Sequence, residues 1–223
     1  MSLTRHGRGA DYELRRIRMV ARLAQMGIHR AEVLSALASV PRHLFVEEAL
    51  RSRAYDDTAL PLGLGQTISQ PYTVAIMTQL LLGEGPINRL RRVLEIGTGC
   101  GYQTAVLQML WLPEIYSVER LRLLHERAKR HLRAVRSASA PRLVCGDGYL
   151  GLPERAPFDG IVITAAPGQI PVPLLQQLAV GGRMVLPLSE GNTQFLWVID
   201  KTTDGYRETC VQEALFVPLV SDA

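Results

Sequence analysis

Three glycines that follow a short apolar run are the first feature of this sequence that points to chemistry. The run covers residues 93–96, includes Glu95, and leads directly into Gly97, Gly99 and Gly101. Glycines between a strand and a helix permit a tight turn and a close approach of the backbone to a ligand. The third glycine comes one residue earlier than in a dinucleotide fingerprint, so a purely structural turn is an alternative for the loop taken alone.

Acidic residues follow the next two predicted strands. Glu119 ends a strand 24 residues after Glu95, where a carboxylate can accept both hydroxyls of a ribose. Asp147, followed by Gly148, comes after the third strand, at the expected adenine edge. Because the carboxyl ends of parallel strands meet at one edge of a sheet, these residues together predict a cofactor site.

A second segment with chemical potential lies just before a predicted helix. Thr67, Ile68 and Ser69 precede Pro71, a residue favoured in the first helical turn. We expect them on a loop that enters the helix N-terminus, where free N–H groups and the helix dipole favour a carboxylate. The alternative for Ser69 is a plain N-cap, a role that Gln70 could also take.

The elements that must position these segments follow from the hydrophobic periodicity. Seven strands are predicted, at residues 92–96, 115–119, 142–145, 160–164, 183–188, 194–200 and 209–217. Helices are predicted at residues 11–25, 30–39, 71–82, 102–110, 121–135 and 172–178, with a short helical piece ending near residue 53. This alternation predicts an α/β fold with a seven-stranded, mostly parallel sheet and helices on both faces.

Composition narrows the class of protein. The 223 residues are 47% hydrophobic, which suits one main core, and no apolar run reaches the length of about 18 residues that a membrane span needs. The three cysteines have neither disulfide nor zinc spacing, so we expect no metal site. These features predict a soluble, cytoplasmic protein, expected to be a monomer, with no membrane partner.

Arginine supplies nearly all of the positive charge and is concentrated at residues 15–22 and 120–136. A solvated helix face explains both segments, and a nucleic-acid surface is the alternative. The net charge of +4 does not require a nucleic-acid partner.

The cofactor segments resemble those of S-adenosylmethionine-dependent methyltransferases of the Rossmann-like class. The resemblance rests on residues 94–99, 118–120 and 146–148. It implies S-adenosyl-L-methionine as cofactor, with the acidic residue at position 95 near the methionine amino group and the one at position 119 on the ribose. The expected cofactor-binding residues are Glu95, Gly97, Thr98, Gly99, Gly101, Glu119, Arg120, Asp147 and Gly148.

A longer series of motifs resembles the protein-L-isoaspartate(D-aspartate) O-methyltransferase family. The motifs cover residues 54–57, 60–63, 66–71, 99–104, 157–159, 177–178, 181–183 and 216–219, and the block Thr-Ile-Ser-Gln-Pro is specific to that family. The resemblance implies methylation of the free α-carboxylate of L-isoaspartyl residues in damaged proteins and peptides, which is a repair activity. It makes Ser69 the active-site residue, and we expect Thr67 and Ile68 to bind substrate.

The resemblance also suggests a division of the chain. We expect a helical N-terminal subdomain at residues 1–57 and a methyltransferase domain, including the substrate loop, at residues 58–223. Two departures from the family stand out: Cys100 replaces a usual serine between the last two glycines, and the N-terminus is expected to be longer than in bacterial members.

Catalysis in such an enzyme needs no general base, because a carboxylate with a pKa of about 4 is already ionised at neutral pH. None of the five histidines lies between residues 44 and 124, where both segments fall. A methyltransferase acting on another acceptor such as RNA, a nicotinamide-dependent oxidoreductase and a non-catalytic cofactor-binding module remain alternatives. Gln194 and residues 217–219 are explained equally well by a peptide groove or by core packing.

Overall fold

A computed structural model of the protein describes residues 4–135 and 140–221, with side chains from residue 11 onward. The strands are β1 (Leu60–Gly63), β2 (Gln66–Ile68), β3 (Arg92–Ile96), β4 (Glu114–Glu119), β5 (Arg142–Cys145), β6 (Phe158–Ile163), β7 (Leu178–Glu190), β8 (Thr193–Thr202) and β9 (Gly205–Ala214). The helices are α1 (Thr4–Gln25), α2 (Ala31–Ser39), α3 (Pro71–Leu82), α4 (Tyr102–Met109), α5 (Arg122–Arg133) and α6 (Val172–Gln177). Short 3₁₀ helices cover Arg42–Leu44, Glu48–Arg53, Ile87–Arg89 and Pro153–Arg155. Arg136, the last residue of the second arginine-rich segment, lies outside the described residues.

Seven strands form one sheet in the order β5-β4-β3-β6-β7-β8-β9. Strands β3 to β7 pair in parallel, and β8 and β9 are antiparallel additions at one edge. The predicted seven-stranded, mostly parallel sheet is therefore confirmed. Two strands were wrongly bounded: the predicted strand at 183–188 is the longer β7, and the predicted strand at 209–217 is β9, which begins at residue 205 and ends at residue 214. The bounds differ because antiparallel pairing in tight hairpins extends β7, β8 and β9 beyond the apolar residues from which strands are predicted.

Alternate residues of the central strands face two hydrophobic clusters. Val93 and Val162 lie in the cluster that contains the buried side chains of α1 to α5. Leu94 and Ile161 lie in the second cluster, with Leu174 of α6. Helices therefore cover both faces, as predicted. The division of the chain at residues 57 and 58 stays a prediction, since buried side chains from both parts share the first cluster.

Strands β1 and β2 form a separate antiparallel hairpin in front of α3. Its two turn residues, Leu64 and Gly65, both have positive φ (56° and 68°), as a tight two-residue hairpin turn requires. Thr67 is thus a strand residue, and the prediction that it and Ile68 lie on a loop is wrong. A strand of three residues is too short to show a periodicity in the sequence.

Among the described residues, no helix combines the length and the apolar character needed to cross a membrane.

Candidate active site

One cavity lies between the glycine loop after β3 and the hairpin before α3. It is lined by Thr67, Ile68, Ser69, Gly97, Thr98, Gly99 and Glu119, together with residues that include Cys100, Tyr102, Thr164 and Val217. A neighbouring cavity is lined by residues that include Gly97, Glu119, Arg120, Gly148 and Leu219. The two segments chosen from the sequence therefore face each other across one space, at the carboxyl edge of the sheet.

Three predicted cofactor residues lie outside the lining of both cavities. Glu95 is fully buried beneath the glycine loop. Gly101 packs against α5, and a Cβ at this position would lie 3.2 Å from Leu132 Cγ. The carboxylate of Asp147 accepts a hydrogen bond from the backbone N–H of Tyr149 (2.8 Å), while the adjacent Gly148 lines the second cavity.

Glu119 fixes the glycine loop as well as lining both cavities. Its Oε2 accepts a hydrogen bond from the Gly99 N–H (2.7 Å), and its Oε1 accepts one from the Leu121 N–H (2.9 Å). An ionised carboxylate has about four lone-pair sites, so acceptor capacity remains for ligand hydroxyls. Gly97, with φ of +93°, lies so close to Thr164, the residue after β6, that a Cβ would be 2.5 Å from Thr164 Oγ1. A side chain at Gly97 therefore has no room, which keeps the loop backbone open to a ligand.

The buried carboxylate of Glu95 lacks a partner for one oxygen. Its Oε2 accepts hydrogen bonds from Thr104 Oγ1 (2.5 Å) and Ser117 Oγ (2.6 Å), whereas Oε1 has no partner among the described residues. Burial raises the pKa of Glu95 to about 7. A buried acidic oxygen without a partner, directly below a glycine loop, fits a cofactor that carries an amino group.

Ser69 precedes α3 but does not cap it. Gln70 occupies the N-cap position without a side-chain hydrogen bond, and Asp57 Oδ1 accepts the N–H of Tyr72 at 2.8 Å. The prediction that Ser69 or Gln70 caps the helix with its side chain is therefore wrong, and Asp57 already takes one of the N–H groups that seemed suited to an external anion. No described residue is hydrogen-bonded to the Ser69 hydroxyl, which leaves it available in the cavity.

A buried cation, Arg42, holds the Ser69 segment through its backbone, and no pattern in the sequence predicted this contact. Arg42 donates from Nη2 to the Ser69 carbonyl oxygen (2.6 Å) and from Nε to the Ala54 carbonyl oxygen (2.8 Å). Its guanidinium carbon lies 4.5 Å from the centre of the Tyr102 ring, and Tyr102 lines the cavity. Local pattern cannot reveal these contacts, because they join residues far apart in the chain.

The segment after β9 closes the other side of the site. Val217 lines the first cavity and Leu219 the second. The side-chain amide of Gln194 donates to the Phe216 carbonyl oxygen (3.1 Å) and accepts the Phe216 N–H (2.6 Å). Gln194 thus holds this segment in place without lining either cavity.

Cys100 lines the first cavity, but its environment does not suit a nucleophile. The thiol is buried, and burial raises its pKa to about 11. Since the thiolate is the reactive form, we expect this cysteine to be unreactive at neutral pH.

Comparisons of the sequence with known proteins converge on one group. A family model described as protein-L-isoaspartate(D-aspartate) O-methyltransferase matches residues 15–223. A protein-L-isoaspartate O-methyltransferase of Chromobacterium violaceum is 56% identical over 209 residues, 93% of this chain and 91% of that protein. One of Nitrosomonas eutropha is 51% identical over 221 residues, 99% of this chain and 97% of that protein. The expectation of a longer N-terminus is wrong with respect to that relative.

Two solved structures share the fold. One is a protein-L-isoaspartate O-methyltransferase, which superposes with a TM-score of 0.81 at 28% identity. The match covers 93% of this chain and 66% of the other. The other, a putative protein-L-isoaspartate O-methyltransferase of Plasmodium falciparum in complex with S-adenosyl-L-homocysteine, has a TM-score of 0.80 at 24% identity and covers 92% of this chain and 98% of that chain.

Proposed function

The chain belongs to the protein-L-isoaspartate(D-aspartate) O-methyltransferase family, and from this premise we propose how its own residues bring the acceptor and the cofactor together. The enzyme uses S-adenosyl-L-methionine to methylate the free α-carboxylate of L-isoaspartyl residues in damaged proteins and peptides. The observation that carries the proposal is the single cavity shared by Ser69 and the glycine loop.

Ser69 is the acceptor-side residue in this proposal. Its hydroxyl has no partner among the described residues, so it is available to donate to a substrate carboxylate oxygen. Thr67 and Ile68 line the same cavity and complete the substrate side. Ile68 is buried and Thr67 exposed, so the first shapes the floor of the site and the second faces the peptide.

The cofactor side is formed by the glycine loop and the acidic residues around it. We assign Gly97, Thr98 and Gly99 to the methionine portion, Glu119 and Arg120 to the ribose, and Gly148 to the adenine. Glu95 supports the amino group from below the loop, Gly101 seats the loop on α5, and Asp147 shapes the adenine edge through the Tyr149 turn.

The chain needs to supply orientation rather than proton transfer. When bound, S-adenosyl-L-methionine supplies a methyl group on a positively charged sulfur, and transfer to a carboxylate oxygen leaves two neutral products. Because charge disappears during the reaction, the site does not have to stabilise a new ion. Holding both reactants in line contributes several kcal/mol, up to about 7–11 in the best cases. The surrounding residues must also exclude water, since a dehydrated carboxylate is the better nucleophile.

The test is methyl transfer to an isoaspartyl peptide, compared with the same peptide containing ordinary aspartate. We expect methyl ester on the isoaspartyl peptide alone. Methylation of total RNA in place of the peptide would overturn the assignment of the acceptor.

The variant that tests Ser69 is Ser69→Ala. It should unfold at the same denaturant concentration as the wild type, because Ser69 makes no cap, yet lose most turnover on the isoaspartyl peptide. Ser39→Ala, which removes a hydroxyl that bonds only within α2, is the matched control and should retain full activity. Full turnover by Ser69→Ala would contradict the assignment.

We further propose that the chain acts as a cytoplasmic monomer without nucleic acid, with residues 1–57 as a helical subdomain. The three free cysteines support a reducing compartment. Light scattering of the purified protein, with and without RNA, tests the monomer, and a dimer mass would overturn it.

A further inference from the structure

Arg42 is the one buried arginine among the described side chains, with no exposed surface. It lies in the 3₁₀ helix Arg42–Leu44, outside the lining of the cavity that contains Ser69. Its donors reach two backbone carbonyl oxygens, those of Ala54 and Ser69, and Nη1 is buried without a hydrogen-bond partner among the described residues. It forms no ion pair with a described carboxylate.

Burying a cation in this way raises the free energy of the folded protein, because only a nearby negative charge and hydrogen bonds can offset the loss of hydration. Burial lowers the pKa of Arg42, opposed in part by Tyr102, Cys100 and Asp57. Asp57 is itself engaged with the Tyr72 N–H. The charge of Arg42 is therefore incompletely balanced in the protein without substrate.

The cation is directed at the acceptor side of the cavity. Its Nη2 bonds the Ser69 carbonyl oxygen at 2.6 Å, and the peptide group from Ser69 to Gln70 is trans and planar. In such a group the N–H points away from the C=O, so the Gln70 N–H points away from Arg42. That N–H donates to no described residue, and Ser69 and Gln70 both line a further cavity, which shares Thr67, Ser69, Thr164 and Val217 with the first. A cation on the carbonyl also polarises the N–H and strengthens it as a donor.

We propose that Arg42 is a positioning residue of the acceptor site, which fixes the Ser69–Gln70 peptide group and supplies the positive charge against which the substrate carboxylate binds. The inference rests on the proposed acceptor role of Ser69. It accounts for a buried arginine that serves no ion pair, and it assigns a role in the reaction to the N-terminal part of the chain.

The experiment compares Arg42→Met, Arg42→Lys and the control Arg22→Met. Arg22 is also a partly buried arginine that donates to a backbone carbonyl, that of Tyr55, and it also has a buried Nε without a partner. For each variant we would measure KM for the isoaspartyl peptide, KM for S-adenosyl-L-methionine and the affinity for S-adenosyl-L-homocysteine.

Arg42→Met should raise the peptide KM by about 10- to 100-fold, the range expected for loss of a hydrogen bond from a charged group. It should leave both cofactor constants within about threefold of the wild type. Arg42→Lys keeps the charge but offers a smaller donor set, so its peptide KM should be intermediate. Arg22→Met should change none of the three constants.

The inference would be overturned by an unchanged peptide KM in both Arg42→Lys and Arg42→Met. It would also be overturned by an equal loss of peptide and cofactor binding, which would indicate a general loosening of the fold. If Arg42→Met does not fold, Arg42→Lys decides. In the double variant Ser69→Ala/Arg42→Met, the combined effect on the peptide KM should be smaller than the product of the two single effects, because both side chains act on the same substrate carboxylate. Fully independent effects would contradict action through Ser69. Failure of the wild type to methylate the isoaspartyl peptide would instead refute the proposed function.

Discussion

The carboxylate of Asp57 accepts a hydrogen bond from the backbone N–H of Tyr72 at 2.8 Å, so α3 is capped by a side chain 15 residues away in the sequence. Arg42 holds the Ser69 carbonyl oxygen just before the same helix. An anion and a cation, both from the chain before β1, thus fix the two sides of the turn that carries Ser69.

Removing the Asp57 cap of α3 should destabilise the folded protein. Asp57→Ala should lower the free energy of unfolding by about 0.5–2 kcal/mol, measured by urea denaturation. Asp57→Asn should cost less, because asparagine is also an effective cap. If Asp57→Ala were neutral while Ser69→Ala was destabilising, the assignment of the cap would be reversed.

A substitution at Glu119 tests the proposed cofactor-binding side of the cavity. Glu119→Gln offers one acceptor oxygen where two backbone N–H groups, of Gly99 and Leu121, need one each. We expect its affinity for S-adenosyl-L-homocysteine, measured by calorimetry, to fall about 10-fold or more. Glu114→Gln, at the other end of β4, is the control and should bind normally. Equal affinities of the two variants would contradict the role of Glu119.

The buried Glu95 predicts a pH dependence of stability. Its pKa is raised by burial to about 7 from an ordinary 4.5, so between these values the folded protein holds a proton that the unfolded chain has lost. Its contribution to stability is therefore fully present below about pH 4.5 and is lost as the pH rises through about 7. Relative to Glu95→Gln, the cofactor-free wild type should lose about 3 kcal/mol of unfolding free energy between pH 4.5 and pH 8. Parallel pH curves for the two proteins would show that Glu95 does not titrate in this range.

The cysteines give a chemical check on the glycine loop. Cys145 and Cys210 are exposed, whereas Cys100 is buried with its pKa raised to about 11. Iodoacetamide at pH 8 should alkylate two thiols rapidly and leave Cys100 unmodified until the protein unfolds. Cys100→Ser should keep kcat within about threefold. A large loss of kcat in this variant would restore the thiol as a catalytic candidate.

Local patterns in the sequence were sufficient for much of the fold and for locating several of the residues that line the cavities. The positions of strands β3 to β6 could be predicted because short β-branched runs alternate with helical periodicity. The glycines at 97 and 99 and the acid at 119 could be found because parallel strands deliver their carboxyl ends to one edge. The family motifs added Ser69, which spacing alone left as a helix cap.

Tertiary structure alone decided how Ser69 is held and which groups are free to act. The hairpin β1–β2 depends on pairing with a neighbour rather than on periodicity, so Thr67 was misplaced on a loop. The cap from Asp57 and the contact from Arg42 join residues 15 and 27 positions apart, and no local propensity encodes such contacts. The sequence determined which chemical groups are present and which edge of the sheet they reach. Only folding decided which are engaged with one another and which stay free for substrate, because hydrogen bonds between distant residues depend on the packing of the whole chain.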